Sequence, residues 1–300
     1  LHLGTWTLLF AAISQVSYLV TVNLSTGAAV KAIKEGVETG VGFTPFSNAL
    51  LIYMLPHSII TVSVITALLP RLSRQSHDKD LSAFGSELSS SLRLVSALII
   101  PSAVFVFATG PWLGSLLYGY GASSLSQGSA LGTIASMFAL GLPAFSLFYV
   151  LLRSYYAQEN TKTPFLINLG FNLLHIAIGL SLFYSLPEGY QVAGLAFGYS
   201  LAYVITCVFT WRRVGKRVPD LLNHGHLRLI VRVTLASLVS GAGAYLFVTS
   251  LIMNSDQASL LQLGFGIASF AASFSLLYLA LAKVLRISEV WAVLALVRRK

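Results

Sequence analysis

The chain has 300 residues, of which 56% are hydrophobic and only 10% are charged, and its mean hydropathy is +0.78. Soluble domains carry about 25% charged residues, so this composition argues against a soluble protein. The formal net charge is +9. Because the basic residues flank long apolar segments, anionic lipid headgroups explain this charge better than nucleic acid does.

Long segments that lack Asp, Glu, Lys and Arg predict eight helices, and most of these segments are long enough to cross a bilayer. They are expected to be helical, because only helices and closed barrels satisfy their backbone in lipid and the alternation of barrel strands is missing. Gly and Ser residues in 118–128 divide the longest uncharged run into two helices. The predicted helices are 3–24, 44–69, 94–117, 129–152, 164–185, 191–211, 229–250 and 259–282. The predicted fold class is therefore an all-α polytopic membrane protein with eight transmembrane helices.

The basic residues are distributed unequally between the two sides of the predicted membrane. Of the 19 Lys and Arg residues, 17 fall in every second connection or in the tail. Those segments are 70–93, 153–163, 212–232 and the residues after 282. The opposite connections hold only Lys31 and Lys34. Because cytoplasmic loops carry the excess of Lys and Arg and the number of spans is even, both chain ends are predicted to be cytoplasmic.

Two cytoplasmic segments, 80–93 and 284–300, are predicted to lie along the membrane surface. In 80–93, apolar residues recur at helical spacing among Ser and Glu, and 284–300 mixes Leu, Val and Trp with terminal bases. The alternative for each is a short lead-in to the adjacent helix.

The predicted spans hold no Asp or Glu at their centres, which argues against a self-contained proton antiporter. Asn168 and Asn172 lie four residues apart and therefore on one face of a helix. Their amide oxygens could coordinate a cation or a sugar hydroxyl in a water-filled cavity. Alternatively, both side chains form interhelical hydrogen bonds. Gln15 and Asn48 are the other candidates for a transport pathway.

Pro56 is predicted to bend the second helix, because proline removes one backbone donor. The bend could act as a hinge, line a cavity or serve packing alone. His57 follows it, but no second His or Cys shares its face, so no metal site is predicted. Cys207 is predicted to be buried, and the G-x-x-x-G spacing of Gly194 and Gly198 predicts close helix packing. No catalytic or nucleotide-binding motif is present.

Two passages carry a family resemblance. Residues 55–73 read LPHSIITVSVITALLPRLS, and residues 153–164 read RSYYAQENTKTP. They resemble the P-x-G-x-x-x-x-A-x-x-T-x-L-L-P-x-L-S helix end and the F-Y-A-x-x-[DN]-x-K-T-P loop of the MurJ (MviN) lipid II flippases. That family belongs to the multidrug/oligosaccharidyl-lipid/polysaccharide exporter superfamily, and the LPH variant resembles its actinobacterial branch.

The resemblance implies a transporter of fourteen helices, arranged as two six-helix lobes and two extra C-terminal helices. This chain would supply the C-terminal lobe (1–211), a cytoplasmic linker (212–228), the two extra helices (229–283) and a cytoplasmic tail (284–300). The implied function is the movement of lipid II across the bacterial plasma membrane by alternating access. The implied protein is a transporter and not an enzyme. Because residue 1 is Leu and the first lobe has no counterpart here, the chain is expected to be part of a longer protein.

Cationic loop residues could attract the anionic headgroup at the cytoplasmic face, the candidates being Arg71, Arg153 and Lys162. The alternative is that they reflect the positive-inside bias alone. The chain also departs from the family pattern. Many members have Arg at the position matched by Leu51, and some build a sodium site with a carboxylate on the helix matched by 164–185, where this chain has only the two asparagines. The departures argue against a sodium site and leave the membrane potential or an ion gradient as the expected driving force, with no cofactor.

The expected partners are the undecaprenyl-linked precursor lipid and anionic membrane lipids. Cytoplasmic cell-wall regulatory proteins are a further expectation, since this branch can extend into a regulatory region beyond the last helix. No nucleic acid is expected. Two alternative functions stay open: a polysaccharide or drug exporter of the same superfamily, and a non-transporting membrane scaffold that recruits cell-wall enzymes.

Overall fold

The computed structural model describes residues 2–34, 36, 41–218, 221, 224–251 and 259–298. Seven helices within these ranges are long and apolar enough to cross a membrane, and a bent pair of helices makes an eighth span when counted as one. This confirms the predicted polytopic helical fold. The helices are α1 (His2–Lys34), α2 (Phe43–Pro56), α3 (Val62–His77), α4 (Leu81–Tyr118), α5 (Leu125–Ala139), α6 (Leu142–Tyr156), α7 (Lys162–Ser185), α8 (Gln191–Gly215), α9 (His224–Leu251), α10 (Leu260–Val284) and α11 (Ser288–Arg298).

The first helix is longer than the predicted 3–24. It continues to Lys34, so that Lys31 and Lys34 lie in its last turn and not in a connection. Ala and Lys are good helix formers, and cations near a helix C-terminus interact favourably with the helix dipole. α1 packs chiefly against α7 and leaves its other faces exposed.

The second span stays helical through Pro56. The chain between α2 and α3 forms one wider turn, a π-helical segment at His57–Thr61. Proline cannot donate to the preceding turn, and π-helical turns are a common way to accommodate such a defect. The His57 ring is buried, and its Nδ1 lies 3.0 Å from Ser146 Oγ on α6. At Pro56 the structure thus shows a local change of helix type, and the helical segments on either side of it form one span.

The surface-helix prediction for 80–93 is wrong, and the lead-in alternative is correct. These residues form the first turns of α4, which runs without a break to Tyr118. Asp80 caps the helix by accepting a hydrogen bond from the Ala83 amide at 2.9 Å. Phe84 and Leu88 are fully buried, because this apolar face packs inside the protein instead of on the membrane surface.

The predicted fourth helix is broken into α5 and α6, which meet at an angle of 46°. Pro143 lies in the first turn of α6, where its missing N–H is tolerated, and it cannot continue α5. At the break, Ser200 Oγ of α8 donates to the Met137 carbonyl at 2.7 Å and lies 3.1 Å from the Phe138 carbonyl, which also accepts from the Gly141 amide at 3.0 Å. A polar residue in one span therefore stabilises the bend in another.

The closest helix contact joins α4 and α5 through four glycines. A Cβ atom added at Gly132 would overlap the Gly110 carbonyl oxygen, and one added at Gly114 would overlap the Gly128 carbonyl oxygen. Small residues at such spacing let two backbones approach closely in a membrane. The predicted pair Gly194 and Gly198 also packs tightly, against α7 side chains.

Apolar packing in the described part of the chain forms one large cluster and two smaller ones. The large cluster joins α1 to α8, and the smaller ones lie where α9 and α10 pack on α4. Tyr278 of α10 donates to the Ala97 carbonyl of α4 at 2.9 Å. The predicted segment boundaries stay a prediction, and residues 219–220 and 222–223 of the predicted linker lie outside the described residues.

The tail does not continue α10 but turns after it into α11. Arg286 adopts a positive φ of 55° in this turn, and Ile287 and Val290 pack against α4 and α10. Arg93 Nε donates to Glu289 Oε1 at 2.7 Å, which ties α11 to the N-terminal half of α4. Residues 299 and 300 of the predicted tail lie outside the described residues, and its position at the membrane surface stays a prediction.

Candidate functional site

A polar cavity of about 220 Å³ lies between α1, α2, α6, α7 and α8. Asn168, Asn172 and His175 of α7 line it, together with Ser14 and Ser17 of α1. The α7 residues follow the i, i+4, i+7 spacing, which places them on one helix face. The two asparagines that the sequence singles out therefore do share one site.

Asn168 and Asn172 form different hydrogen bonds. Asn168 Nδ2 donates to Ser14 Oγ at 2.9 Å and to the Phe10 carbonyl at 3.2 Å, so it links α7 to α1. Asn172 Nδ2 donates to the Asn168 carbonyl of its own helix at 2.7 Å. Asn168 therefore forms interhelical hydrogen bonds, which was the alternative to a ligand-binding role. The amide nitrogen of Asn172 bonds only within its own helix.

His175 and Ser17 form a second link between the same helices, with His175 Nδ1 2.9 Å from Ser17 Oγ. The imidazole ring stacks on Phe171 and meets the edge of Tyr199 at a centroid distance of 5.2 Å. His175 is thus a buried, hydrogen-bonded residue between the two helices. Sequence reasoning missed Ser17, although Ser14, Ser17 and Thr21 recur on one face of α1.

No Asp, Glu, Lys or Arg lines this cavity, whose walls combine amides and hydroxyls with aromatic rings. A cation without a nearby counter-charge is costly in a membrane, so amides and hydroxyls alone favour neutral hydrogen-bonding groups. Among the described residues, no group of three or more His, Cys, Asp or Glu side chains could hold a metal ion. The geometry thus suits polar, uncharged parts of a ligand or ordered water.

The other two pathway candidates lie elsewhere. Gln15 is exposed and does not line the cavity, because it lies about 100° around α1 from its neighbours Ser14 and Val16. Asn48 is half-buried and lines a separate cavity of about 710 Å³ near the ends of α1 and α4 and the start of α5. That cavity is rich in hydroxyl groups, including those of Thr44 and Tyr118. The structure brings together two of the four candidates.

Pro56 lines an apolar groove of about 540 Å³ between the second span, α4, α10 and α11. On α4 the groove extends from Leu98 to Leu117, 19 positions apart, and Pro101 lies between them. At about 1.5 Å per residue this is about 28 Å, close to the thickness of a hydrocarbon core of about 30 Å. Along α4, the apolar groove is therefore about as long as a hydrocarbon core is thick.

The cationic loop candidates occupy three different environments. Arg71 is exposed and pairs with Glu87 at 3.0 Å. Arg153 is half-buried, with its guanidinium 5.6 Å from the centre of the Tyr156 ring, and Lys162 Nζ lies 5.6 Å from the Trp6 ring. Leu51, which stands where many members of the family have Arg, is exposed. Cys207 is buried, as predicted.

Residues 1–266 match the family model of the lipid II flippase MurJ. A probable lipid II flippase MurJ of Rhizobium meliloti is 26% identical over 79% of this chain and 41% of the relative. A lipid II flippase MurJ of Thermosipho africanus is 30% identical over 52% of this chain and 31% of its own length. The chain spans less than half the length of these curated relatives.

Solved structures show the same fold. The inward closed conformation of a lipid II flippase MurJ matches with a TM-score of 0.68 at 21% identity, over 92% of this chain and 52% of that one. A multidrug/oligosaccharidyl-lipid/polysaccharide exporter superfamily transporter from Pyrococcus furiosus matches with a TM-score of 0.51 at 15% identity, over 96% and 65%. At these identities the likeness concerns the fold alone.

Proposed function

Because the chain belongs to the lipid II flippase MurJ family, we propose that it forms the C-terminal part of a flippase. The transported molecule is a lipid-linked peptidoglycan precursor, carried from the cytoplasmic to the outer leaflet of a bacterial plasma membrane. The chain supplies the C-terminal lobe and two extra helices, with both chain ends in the cytoplasm, as the distribution of basic residues supports. The protein acts as a transporter and not as an enzyme.

The apolar groove along α4 is the observation that carries this proposal. A lipid-linked substrate needs an apolar path for its tail and a polar path for its headgroup. Measured along α4, the groove extends for about 28 Å, a length that suits a polyprenyl tail that stays in lipid. The cavity around Asn168 and Asn172 offers neutral hydrogen-bonding groups of the kind that sugar and peptide hydroxyls and amides use.

Arg71, Arg153 and Lys162 attract the anionic headgroup near the cytoplasmic ends of their helices in this proposal. With no carboxylate lining the cavity between α1 and α7, the membrane potential or an ion gradient acting elsewhere drives transport. Pro56 and the π-helical turn after it give the second span a place to bend as the lobes rock. Anionic lipids and cytoplasmic cell-wall regulators are the remaining proposed partners.

Lipid II translocation in vesicles tests the proposal, with the chain joined to the N-terminal lobe of its own protein. The complete protein should move lipid II to the opposite leaflet, and a variant carrying Asn168→Leu and Asn172→Leu should lose transport at normal abundance. Asn23→Leu, which changes an exposed asparagine of α1, should leave transport intact.

The other functions make different predictions in the same assay. A complete protein that moves no lipid II but still binds cell-wall enzymes would be a scaffold, and one that moves only drugs or polysaccharides would be an exporter. Either result would refute the flippase proposal. If the double variant loses abundance along with transport, the asparagines serve structure.

A further inference from the structure

A second apolar groove, of about 430 Å³, lies between α6, α8 and α9 on the side of the lobe where the extra helices begin. Its walls include Leu147 of α6, Val204 and Val208 of α8, and Ile230 of α9. Val204 and Val208 are 39% and 47% exposed, so the groove opens sideways. It faces the region that lipid acyl chains occupy in a membrane.

The groove reaches only part of the way across the membrane. On α8 it extends from Val204 to Arg212, eight positions apart. This is about 12 Å, less than half of a hydrocarbon core of about 30 Å. With the predicted orientation, the groove lies within the cytoplasmic leaflet and ends at the headgroup level. That depth fits the acyl chain of a phospholipid but not a path for a polyprenyl tail across the bilayer.

Polar contacts fix the cytoplasmic end of the groove. Trp211 Nε1 donates to the Leu221 carbonyl at 3.3 Å, and the Trp211 ring meets the His226 ring edge-on at 5.6 Å. His226 Nε2 in turn lies 3.1 Å from the Ser89 carbonyl of α4. Tryptophan is enriched at the membrane interface, where its ring spans the boundary between headgroups and acyl chains. Trp211 and His226 therefore form an aromatic wall at this end of the groove.

The charge at this end is strongly positive. Residues 212–232 contain six Lys and Arg residues and one acid, Asp220, which lies outside the described residues. Arg212 lines the groove and is exposed to the headgroup region. The two ion pairs formed by the described residues engage Arg71 and Arg93 instead. Basic pockets between helices on the cytoplasmic side attract anionic lipid headgroups.

We propose that this groove binds one anionic phospholipid of the cytoplasmic leaflet, with an acyl chain between α8 and α9 and its phosphate beside Arg212. The bound lipid fills the junction between the lobe and the extra helices. The site is separate from the groove along α4, and the proposal does not depend on the flippase function. One cation near a membrane surface favours an anionic lipid about fivefold over a zwitterionic one.

Quenching of Trp211 by lipids with brominated acyl chains tests the proposal. The chain, together with its upstream lobe, is reconstituted in phosphatidylcholine vesicles that hold a small fraction of brominated phosphatidylglycerol or of brominated phosphatidylcholine. Subtracting the quenching of a Trp211→Phe variant isolates the signal of this residue. Phosphatidylglycerol should quench Trp211 about fivefold more effectively per mole. Arg212→Gln should reduce that ratio to about one, whereas Arg213→Gln, the neighbouring exposed arginine outside the groove, should leave most of it.

Three results would refute the proposal. Equal quenching by the two brominated lipids would mean that the groove accepts any acyl chain. An unchanged ratio in the Arg212→Gln variant would mean that the phosphate lies elsewhere. Displacement by a polyprenyl phosphate at lower concentration than by unlabelled phosphatidylglycerol would identify a substrate site. As a further check, Val208→Phe narrows the groove and should lower quenching by phosphatidylglycerol, without any change in the charge at the rim.

Discussion

Replacing Gly132 with alanine should destabilise the protein, because α4 and α5 approach too closely for a methyl group. A Cβ atom at Gly132 would overlap the Gly110 carbonyl oxygen and come within 2.7 Å of Pro111 Cα. Both neighbours are backbone atoms of another helix, so they cannot rotate away, and the helices must separate. Overpacking of this kind costs about 1–3 kcal/mol. It also pulls apart the Ser136 Oγ bond to the Phe107 carbonyl, which is 2.9 Å long.

Gly170→Ala is the matched control, since a Cβ atom at Gly170 of α7 meets nothing within 4 Å. Both variants gain the same helix propensity, about 1 kcal/mol over glycine, so their difference isolates the steric cost. Reversible unfolding in mixed micelles, followed by tryptophan fluorescence, should show Gly132→Ala less stable than Gly170→Ala by about 1–3 kcal/mol. Equal stability of the two variants would contradict the close approach of α4 and α5 at Gly132.

Three further predictions concern the bend, the orientation and the tail. Ser200→Ala should cost about 1 kcal/mol in the same unfolding assay, because it removes the hydroxyl that donates to the Met137 carbonyl at the break between α5 and α6; an unchanged stability would assign that carbonyl another partner. Cysteines placed in 118–128 should react with an impermeant reagent from outside and those in 212–218 should not, and the reverse pattern would overturn the orientation. Glu289→Gln should speed amide exchange in α11, because the ion pair with Arg93 fixes that helix; unchanged exchange would mean that apolar packing alone holds it.

The spans could be predicted because a long apolar segment in a membrane can satisfy its backbone hydrogen bonds only as a helix or in a closed barrel. The ends of the helices were less predictable, because they depend on contacts outside each segment. The surface-helix prediction for 80–93 failed, since amphipathic spacing is the same whether the apolar face meets lipid or protein. The break at Gly141 could be anticipated from Pro143, but the donor that stabilises it, Ser200, lies on a different span and carries no local signal.

The polar site was predictable only in part, because one of its sides follows from the spacing within a single helix and the other depends on a second helix. Asn168 and Asn172 share a face by spacing alone, so the sequence indicated one side of the cavity. The residues on the opposite side of the cavity could not be predicted in the same way. They depend on how α1 is rotated about its own axis, and the spacing of residues within α1 does not give that rotation. Gln15, the residue that the sequence singled out in that helix, is exposed, and the smaller Ser14 and Ser17 line the cavity instead. The closest glycine contact was missed because Gly110 and Gly132 belong to two helices whose pairing the sequence leaves open.

The placement of charge bears on which part of a lipid-linked substrate the chain would hold in the proposed flippase. No Asp, Glu, Lys or Arg lines the cavity between α1 and α7, and 17 of the 19 Lys and Arg residues fall in the segments that the sequence predicts to be cytoplasmic. A pyrophosphate that entered this cavity would lose its hydration without gaining an ionic partner, which is costly in a membrane. We therefore expect the lobe to hold the neutral part of a headgroup, while the upstream lobe meets its charge. Introducing Asn172→Lys should then trap an anionic headgroup and slow transport, with tighter binding of a polyprenyl phosphate. Faster transport in that variant would contradict the division of roles between the lobes.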